Sequence, residues 1–218
     1  KSSVTNWQKT QEPHALATES GLPGVAGSLR QSLLDLRERR KYQTWVKHHQ
    51  ITDEDRSAFR AKITEFESRP KISIVMPVYD VEEEWLRLCI KSVLDQIYEN
   101  WELCIADDCS PSSHIRRVLD EYSSKDPRIT VVFRAENGHI SAASNSALKL
   151  ATGEFCVLLD HDDELSEDAL FWVANEINAH PDVQMIYSDE DVIDINGRRS
   201  DPRFKPDLSR DLLYSLNM

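Results

Sequence analysis

Short apolar runs alternate with segments of helical spacing along the chain from residue 71 onward. The first run, Ile72–Met76, ends at Pro77, and apolar residues then recur at helical spacing over residues 84–96. Further strands are predicted at Glu102–Ala106, Ile129–Phe133, Phe155–Leu159 and Gln184–Tyr187, and further helices over residues 113–123, 141–150 and 166–179, the last with Ser166 as its N-cap. Strands and helices at this spacing form right-handed βαβ units. The alternation therefore predicts an α/β fold, a twisted and mostly parallel sheet with helices on both faces.

The residues before this alternation follow a different pattern. Residues 1–27 are rich in Ser, Thr, Gly and Pro, which is typical of a poorly ordered lead-in or linker. Residues 28–70 are predicted to form a small helical extension, with one helix over residues 28–48 and a second over residues 53–67. We therefore divide the chain into a lead-in, this extension and a main domain over residues 71–218.

The charge of the chain is negative and unevenly distributed. The formal net charge is -12, to which residues 1–70 contribute +3 and residues 71–218 contribute -15. Because an acidic domain repels the phosphates of DNA and RNA, we expect no nucleic-acid partner. A phosphate-bearing ligand of this domain would need a cation to mediate its binding.

Residues 28–50 carry a basic patch, Arg37–Lys41, within the predicted helix. Such a patch is most often a solvated helix face, and contact with another domain or with anionic lipid at the inner face of a membrane is the alternative. No apolar run reaches the ~18 residues of a membrane-spanning helix. Cys104 and Cys156 lie inside apolar runs and show no C-x-x-C spacing, which favours buried, reduced thiols in a cytoplasmic protein.

Polar clusters follow four of the predicted strands directly or after a short gap. They are Pro77-Val78-Tyr79-Asp80, Asp107-Asp108-Cys109-Ser110, Asn137-Gly138 and Asp160-His161-Asp162-Asp163. In open parallel sheets, ligands bind beyond the carboxyl ends of the strands. We therefore expect these clusters to line one crevice.

Several carboxylates in one crevice repel one another. Two of them ~4 Å apart at an effective dielectric constant of ~20 cost about 4 kcal/mol. Asp160 and Asp162 stand two residues apart on a predicted turn, so they can supply oxygen ligands to one Mg²⁺ or Mn²⁺ ion. Such an ion would carry a diphosphate into an acidic site, although a D-x-D pair alone is weak support because most acidic turns are simply solvated.

The order and spacing of these clusters resemble those of the family 2 glycosyltransferases, over about two-thirds of the chain. The stretches that carry the resemblance are Ile74–Tyr79, Ala106–Ser110, Asn137–Asn145 and Thr152–Asp163, with Tyr187–Asp191 and Phe204–Asp207 typical of the bacterial surface-polysaccharide branch. The resemblance implies the A-type glycosyltransferase fold, a nucleotide-binding, Rossmann-like sheet. It also implies a metal-dependent, inverting transfer of a sugar from a nucleotide-diphosphate donor to a glycan or lipid-linked acceptor.

The resemblance further implies a role for each matching residue. Nucleotide-binding residues are expected at Pro77, Val78, Tyr79, Asp107, Asp108, Asn137, Gly138, Ser141 and Asn145. Asp160 and Asp162 are expected to bind Mn²⁺ or Mg²⁺, and Asp189 and Glu190 to face the donor sugar or the acceptor. The family's catalytic base normally follows the acceptor-binding segment. It is therefore expected beyond Met218, in a domain truncated at its C-terminus.

Other interpretations of the same residues stay open at this point. Asp107 and Asp108 are also typical of an Asx-turn, Ser141 of a helix N-cap, and Asp189 and Glu190 of a solvated acidic run. A nucleotidyltransferase also presents acidic metal ligands at strand ends, but it usually has a Gly-rich basic loop after the first strand. A non-catalytic nucleotide-sugar-binding or scaffold module is the alternative outside enzymes.

Overall fold

The computed structural model describes residues 25–206 and residue 208, which fall into two units. The smaller unit contains the described residues up to Gln50 and from Asp189 onward, and the larger unit spans Ile51–Ser188. The predicted lead-in lies almost entirely outside the described residues, and the boundary at residue 71 stays a prediction. The helices are α1 (Val25–His48), α2 (Asp53–Thr64), α3 (Glu83–Leu94), α4 (Ser113–Lys125), α5 (His139–Leu148) and α6 (Ala169–Ala179). The strands are β1 (Ile72–Val78), β2 (Trp101–Asp107), β3 (Ile129–Phe133), β4 (Phe155–Leu158), β5 (Glu190–Ile193) and β6 (Arg199–Arg203).

The larger unit is built on a parallel sheet. Within the described residues, this sheet has four strands in the order β3-β2-β1-β4. Val78 of β1 pairs with Asp107 of β2, and Val75 pairs with Leu158 of β4. The carboxyl end of the central strand β1 is therefore flanked by the carboxyl ends of β2 and β4. The predicted α/β fold with a mostly parallel sheet is confirmed.

Helices cover both faces of this sheet because side chains alternate along each strand. Ile74, Met76 and Leu103 belong to the larger apolar cluster, which α3, α4 and α6 complete. Val75, Cys104 and Ala106 belong to a second cluster, in which the partners on α5 are Ala143 and Ala147. Small side chains on both sides let α5 lie close to the sheet. Burial of each large aliphatic side chain contributes about 1.5–3 kcal/mol to folding.

Helix α2 belongs to the larger unit and packs on α6. It begins at a capping box, in which Thr52 and Asp55 exchange side-chain and backbone hydrogen bonds. The ring of Phe59 lies 4.4 Å from that of Phe171, centroid to centroid. Arg56 adds a bidentate ion pair with Glu167, at 2.7 Å for both nitrogen–oxygen distances. These contacts explain why a helix predicted as part of an extension packs against the core of this unit.

Two local predictions are wrong. Gln184–Tyr187 is not a strand in the described structure, although its apolar run suggested one. An extended segment becomes a strand only where a neighbouring strand completes its hydrogen bonds, and periodicity does not report that neighbour. The N-cap of α6 is Asp168, not Ser166, because the helix begins at Ala169, three residues after Ser166.

The expectation that both strand cysteines are buried holds for Cys104 and is wrong for Cys156. In the strand register, Cys156 and Leu158 share the sheet face of Ser73 and Val75. Helix α5 contacts β1, β2 and β3, and Leu158 at the edge of the sheet is 77% exposed. Burial of a strand residue therefore depends on how far the covering helix reaches, which the apolar run does not reveal.

A buried polar network joins three segments at the amino ends of the strands. Glu102, which is 9% exposed, accepts hydrogen bonds from Ser73 Oγ at 2.7 Å and from the backbone N–H of Gly153 at 3.1 Å. Thr152 and Lys71 also donate to this carboxylate. Burial alone would raise the pKa of Glu102, but the hydrogen bonds from Lys71, Ser73 and Thr152 outweigh it, and the pKa falls to about 2. The network fixes the loop before β4 to β1 and β2.

We expect Gly153→Ala to destabilise the larger unit by about 2 kcal/mol, because an added methyl group overpacks this contact. A Cβ at Gly153 would lie 2.4 Å from the carbonyl oxygen of Lys71 and 2.9 Å from the backbone nitrogen of Ser73. Urea denaturation followed by circular dichroism measures the change. Ser124→Ala on the exposed surface of α4 is the control and should shift stability by less than ~0.5 kcal/mol. Equal stability of the Gly153 variant and the wild type would contradict the close approach.

The smaller unit pairs α1 with an antiparallel hairpin of β5 and β6. Tyr42 on α1 donates its hydroxyl hydrogen bond to Asp191 on β5, and Arg199 on β6 pairs with the same carboxylate at 2.6 Å. Burial and the bond to Asp191 raise the pKa of Tyr42 to about 12. In the described part of the chain, no helix has the length and apolar character needed to cross a bilayer.

Candidate functional site

The carboxyl edge of the parallel sheet gathers three of the predicted clusters. Tyr79 follows β1 and is exposed, while Pro77 and Val78 are buried within that strand. The backbone N–H of Asp108 donates to the carbonyl of Val78 at 2.8 Å, so the end of β2 lies against the end of β1. Leu159, next to Asp160, donates to Val75 at 3.1 Å from the other side. Strand order thus brings the first, second and fourth clusters to one edge, as the sequence predicted.

Asp108 fixes the loop that follows β3. Its side chain is 2% exposed and accepts from Arg134 Nε at 2.6 Å and from the backbone N–H of Gly138 at 3.0 and 3.1 Å. The neighbouring Asp107 accepts from the backbone N–H of Ser110 at 3.2 Å, three residues on, which is one residue farther than in an Asx-turn. Both carboxylates therefore accept hydrogen bonds from the protein itself, Asp107 from Ser110 and Asp108 from Arg134 and Gly138.

The third cluster forms the start of α5. Gly138 is the N-cap, and Asn137 Oδ1 accepts from the backbone N–H of His139 at 3.2 Å. A Cβ at Gly138 would lie 2.5 Å from Arg134 Nη2, so a glycine suits this position. Ser141 and Asn145 are exposed inside the helix. The alternative of Ser141 as the N-cap is therefore wrong, because α5 begins two residues earlier.

Backbone strain concentrates at this edge. Asp80, Cys109 and His139 have φ angles of 45°, 61° and 63°, a left-handed region that is uncommon for residues other than Gly. One of them follows each of β1, β2 and β3. Ser110 accepts from the backbone N–H of Asp80 at 3.0 Å, which links two of these turns. Strained residues of this kind cluster at binding and catalytic sites.

The acidic turn after β4 presents Asp160 and Asp162 to solvent. His161, between them, donates from Nδ1 to the carbonyl of Pro77 at 3.1 Å and so ties the turn to β1. Within the described residues, no three His, Cys, Asp or Glu side chains form a complete metal-binding group. Mg²⁺ commonly binds to one or two carboxylates together with waters and substrate phosphates. The donor set of this turn fits a cation bound in that way.

The buried thiol of Cys89 on α3 lies close to the carboxylates of this turn. Burial raises its pKa first, and the negative charges of Asp163, Asp162, Glu164 and Asp160 raise it further. Its Sγ donates to the carbonyl of Asp160 at 3.5 Å, so the turn contacts α3. The turn is thus a local concentration of negative charge that a divalent cation would neutralise.

Comparisons with known proteins identify the family. The family model described as "Glycosyl transferase family 2" matches residues 73–216. The chain belongs to glycosyl transferase family 2. The resemblance predicted from the sequence is confirmed, and the clusters at the carboxyl edge of the sheet fall within the matched segment.

Relatives of this family 2 domain are much longer proteins. An uncharacterized protein, y4gI, of Sinorhizobium fredii is 51% identical over 74% of this chain and 18% of its own length. The O-antigen biosynthesis protein RfbC of Myxococcus xanthus is 38% identical over 74% of this chain and 13% of its own length. The crystal structure of S. aureus TarS 1-349 in complex with UDP-GlcNAc aligns with a TM-score of 0.47 at 29% identity, over 51% of this chain and 32% of that one. The chain therefore spans less than a fifth of these two relatives and about a third of the TarS chain.

Asp189 and Glu190 lie in the smaller unit of this family 2 chain. Asp189 accepts from the backbone N–H of Lys205 at 2.7 Å. Glu190 pairs with Lys205 Nζ at 3.0 Å and with Arg203 at 3.2 Å. The hydrogen bond from Lys205, with a second from Arg203, lowers the pKa of Glu190. Their assignment to the donor sugar or the acceptor stays a prediction.

Sequence analysis missed two important side chains of the family 2 domain. Arg134 is the cation that pairs with Asp108, and its position directly after the third strand is a signal that could have identified it. Glu102 is the centre of the buried network, and an acid at the start of a strand whose next four residues are apolar is the corresponding signal. Both are charged residues whose partners are distant in the sequence, so their role depends on the fold.

Proposed function

We propose that this domain transfers a sugar, with inversion and with the help of a divalent metal, from a nucleotide-diphosphate donor to a glycan or lipid-linked acceptor. The observation that carries the proposal is the meeting of Tyr79, Asp108 and the Asp160–Asp162 turn at one edge of the sheet, in a chain of glycosyl transferase family 2. The O-antigen name of one relative supports a role in bacterial surface polysaccharide synthesis.

The nucleotide would lie across the carboxyl ends of β1 and β2. The exposed ring of Tyr79 would stack on the base, on a support formed by the buried Pro77 and Val78. Asp107 or Asp108 would accept hydrogen bonds from the base or ribose. The wall on the β3 side would be formed by Asn137, Gly138, Ser141 and Asn145.

Asp160 and Asp162 would hold the Mn²⁺ or Mg²⁺ ion. The bound ion would supply positive charge to the donor diphosphate and to the diphosphate that leaves. The chain itself would orient this turn through the His161 bond to Pro77, which keeps the acidic residues beside the end of β1. The negative charge of this acidic turn, which also contains Asp163 and Glu164, favours such a cation for an anionic ligand.

The reaction would be a single displacement. The oxygen of an acceptor hydroxyl attacks the anomeric carbon, the bond from that carbon to the diphosphate breaks, and a carboxylate takes the hydroxyl proton. That carboxylate is expected beyond Met218. Asp189 and Glu190 would contact the donor sugar or the acceptor.

Titration calorimetry of the 218-residue chain with UDP and GDP, in Mn²⁺ and in EDTA, tests the donor site. We expect one of the nucleotides to bind at least tenfold more tightly in Mn²⁺, and Asp162→Ala to abolish that gain because it removes an oxygen ligand. Asp120→Ala, an exposed acid on α4, is the matched control and should keep it. Metal-independent binding that Asp162→Ala leaves unchanged would refute the metal-mediated site.

A further inference from the structure

Helix α1 of the smaller unit has two chemically distinct faces. Tyr42 and Gln43 bind the hairpin, through Asp191 and through the backbone carbonyl of Arg199. On the other side, one stripe at helical spacing lines a shallow groove. It consists of Arg37, Arg40, Lys41, Thr44, Trp45 and His48, which we name the cationic stripe.

The cationic stripe combines positive charge with apolar surface. Arg37, Arg40 and Lys41 are exposed, and none of the six positions holds an acid. The wall of the groove is mainly carbon, from the stems of these side chains and from the indole of Trp45. Trp45 is held in place by stacking on His49 at 4.3 Å and on Tyr42 at 5.7 Å, centroid to centroid.

We propose that the cationic stripe docks the protein on the surface of an anionic lipid bilayer. The complementarity has two parts. The guanidinium groups of Arg37 and Arg40 match lipid phosphates, and the indole matches the boundary between head groups and acyl chains, where Trp is favoured. Anionic surfaces attract each nearby Lys or Arg side chain and do so only within a Debye length. The net charge of -12 is screened over that distance. The positive charge of the stripe therefore determines how this surface interacts with the bilayer.

A bilayer explains the stripe better than a nucleic acid does. A nucleic-acid groove or strand requires cations that follow a phosphate backbone with aromatic rings free to stack on bases. The ring of Trp45, which lines the groove, already stacks on His49 and on Tyr42. The inference goes beyond the donor site, since it concerns where the domain acts and not what it transfers.

Co-sedimentation of the full 218-residue chain with vesicles tests the proposal. We expect binding to vesicles that contain phosphatidylglycerol, little binding to pure phosphatidylcholine, and release by high salt. Arg37→Gln/Arg40→Gln should lower the partition coefficient about 30-fold, because two cations are lost. Arg60→Gln/Lys149→Gln removes the same charge from exposed positions in the larger unit and should leave binding within about twofold. Trp45→Ala should weaken binding several-fold, also at low salt, because it removes the apolar part of the contact.

Three outcomes would overturn the proposal. They are equal binding to anionic and neutral vesicles, equal loss in the stripe variant and its control, and tighter binding of duplex DNA than of anionic vesicles. Circular dichroism of each variant checks that it is folded. Nucleotide calorimetry on the Arg37→Gln/Arg40→Gln variant separates the two proposals, since its donor binding should match the wild type whether or not vesicles bind.

Discussion

Asp108→Ala is expected to destabilise the protein by about 3–5 kcal/mol, the cost of removing one partner from a buried ion pair. The variant leaves Arg134 without its carboxylate and the backbone N–H of Gly138 without an acceptor, at a position that is 2% exposed. Because the same bonds hold the start of α5 at the carboxyl edge of the sheet, nucleotide binding should fall as well. Urea denaturation and calorimetry measure the two effects.

Asp95→Ala provides the matched control for the loss of an ion pair. Asp95 pairs with Lys91 on the surface of α3, where both side chains are more than half exposed. An exposed pair of this kind contributes at most about 1 kcal/mol. A loss of that small size for Asp108→Ala would show that the Arg134 pair does not hold the loop.

Glu102→Gln is expected to lower the free energy of unfolding by about 3 kcal/mol at pH 7. This difference from the wild type should disappear in acid. The pKa of Glu102 is about 2 in the folded protein, below its ordinary value of 4.5, so its carboxylate stabilises the folded state above pH 4.5. That contribution is lost as the pH falls from about 4.5 to about 2, because one pKa unit corresponds to about 1.4 kcal/mol. Urea denaturation of wild type and variant between pH 7 and pH 2.5 should therefore show two stability curves that converge.

Glu67→Gln, at an exposed position just after α2, is the control for Glu102. Its stability should follow the wild-type curve to within about 0.5 kcal/mol at every pH. Parallel curves for Glu102→Gln and the wild type, with no convergence in acid, would contradict the low pKa of the buried carboxylate. The comparison of two variants isolates Glu102 from the other carboxylates that titrate over the same range.

Much of the larger unit could be predicted from the sequence because its strands are short apolar runs that end at polar residues. β1 and β3 were expected at or near their observed bounds, and the clusters after β1, β2 and β4 do meet at one edge. The predictions failed where the answer depended on a distant neighbour. In the part of the chain that the structure describes, the segment Gln184–Tyr187 pairs with no strand, and Cys156 on the edge strand β4 is exposed.

In the candidate site, too, local sequence predicted some features and distant neighbours determined the others. Its acidic residues were found from their position after strands, yet the bonds of Asp108 to Arg134 and Gly138 link residues that are about 30 positions apart. The sequence could therefore predict that Asp108 lies at this edge of the sheet, but not the partners that occupy its oxygens. The acidic run likewise did not predict that Asp189 and Glu190 pair with Lys205 and Arg203.

The sequence by itself determined the α/β class and the family, because local periodicity and the spacing of polar clusters are properties of neighbouring residues. Only the tertiary structure decided which charged side chains are paired in the interior and which are exposed to solvent. Glu102 and Asp108 are held by partners from other strands and loops, whereas Asp160 and Asp162 stay exposed to solvent. The physical reason is that the energy of a charge depends on its solvation and on its nearest opposite charges, and the fold sets both.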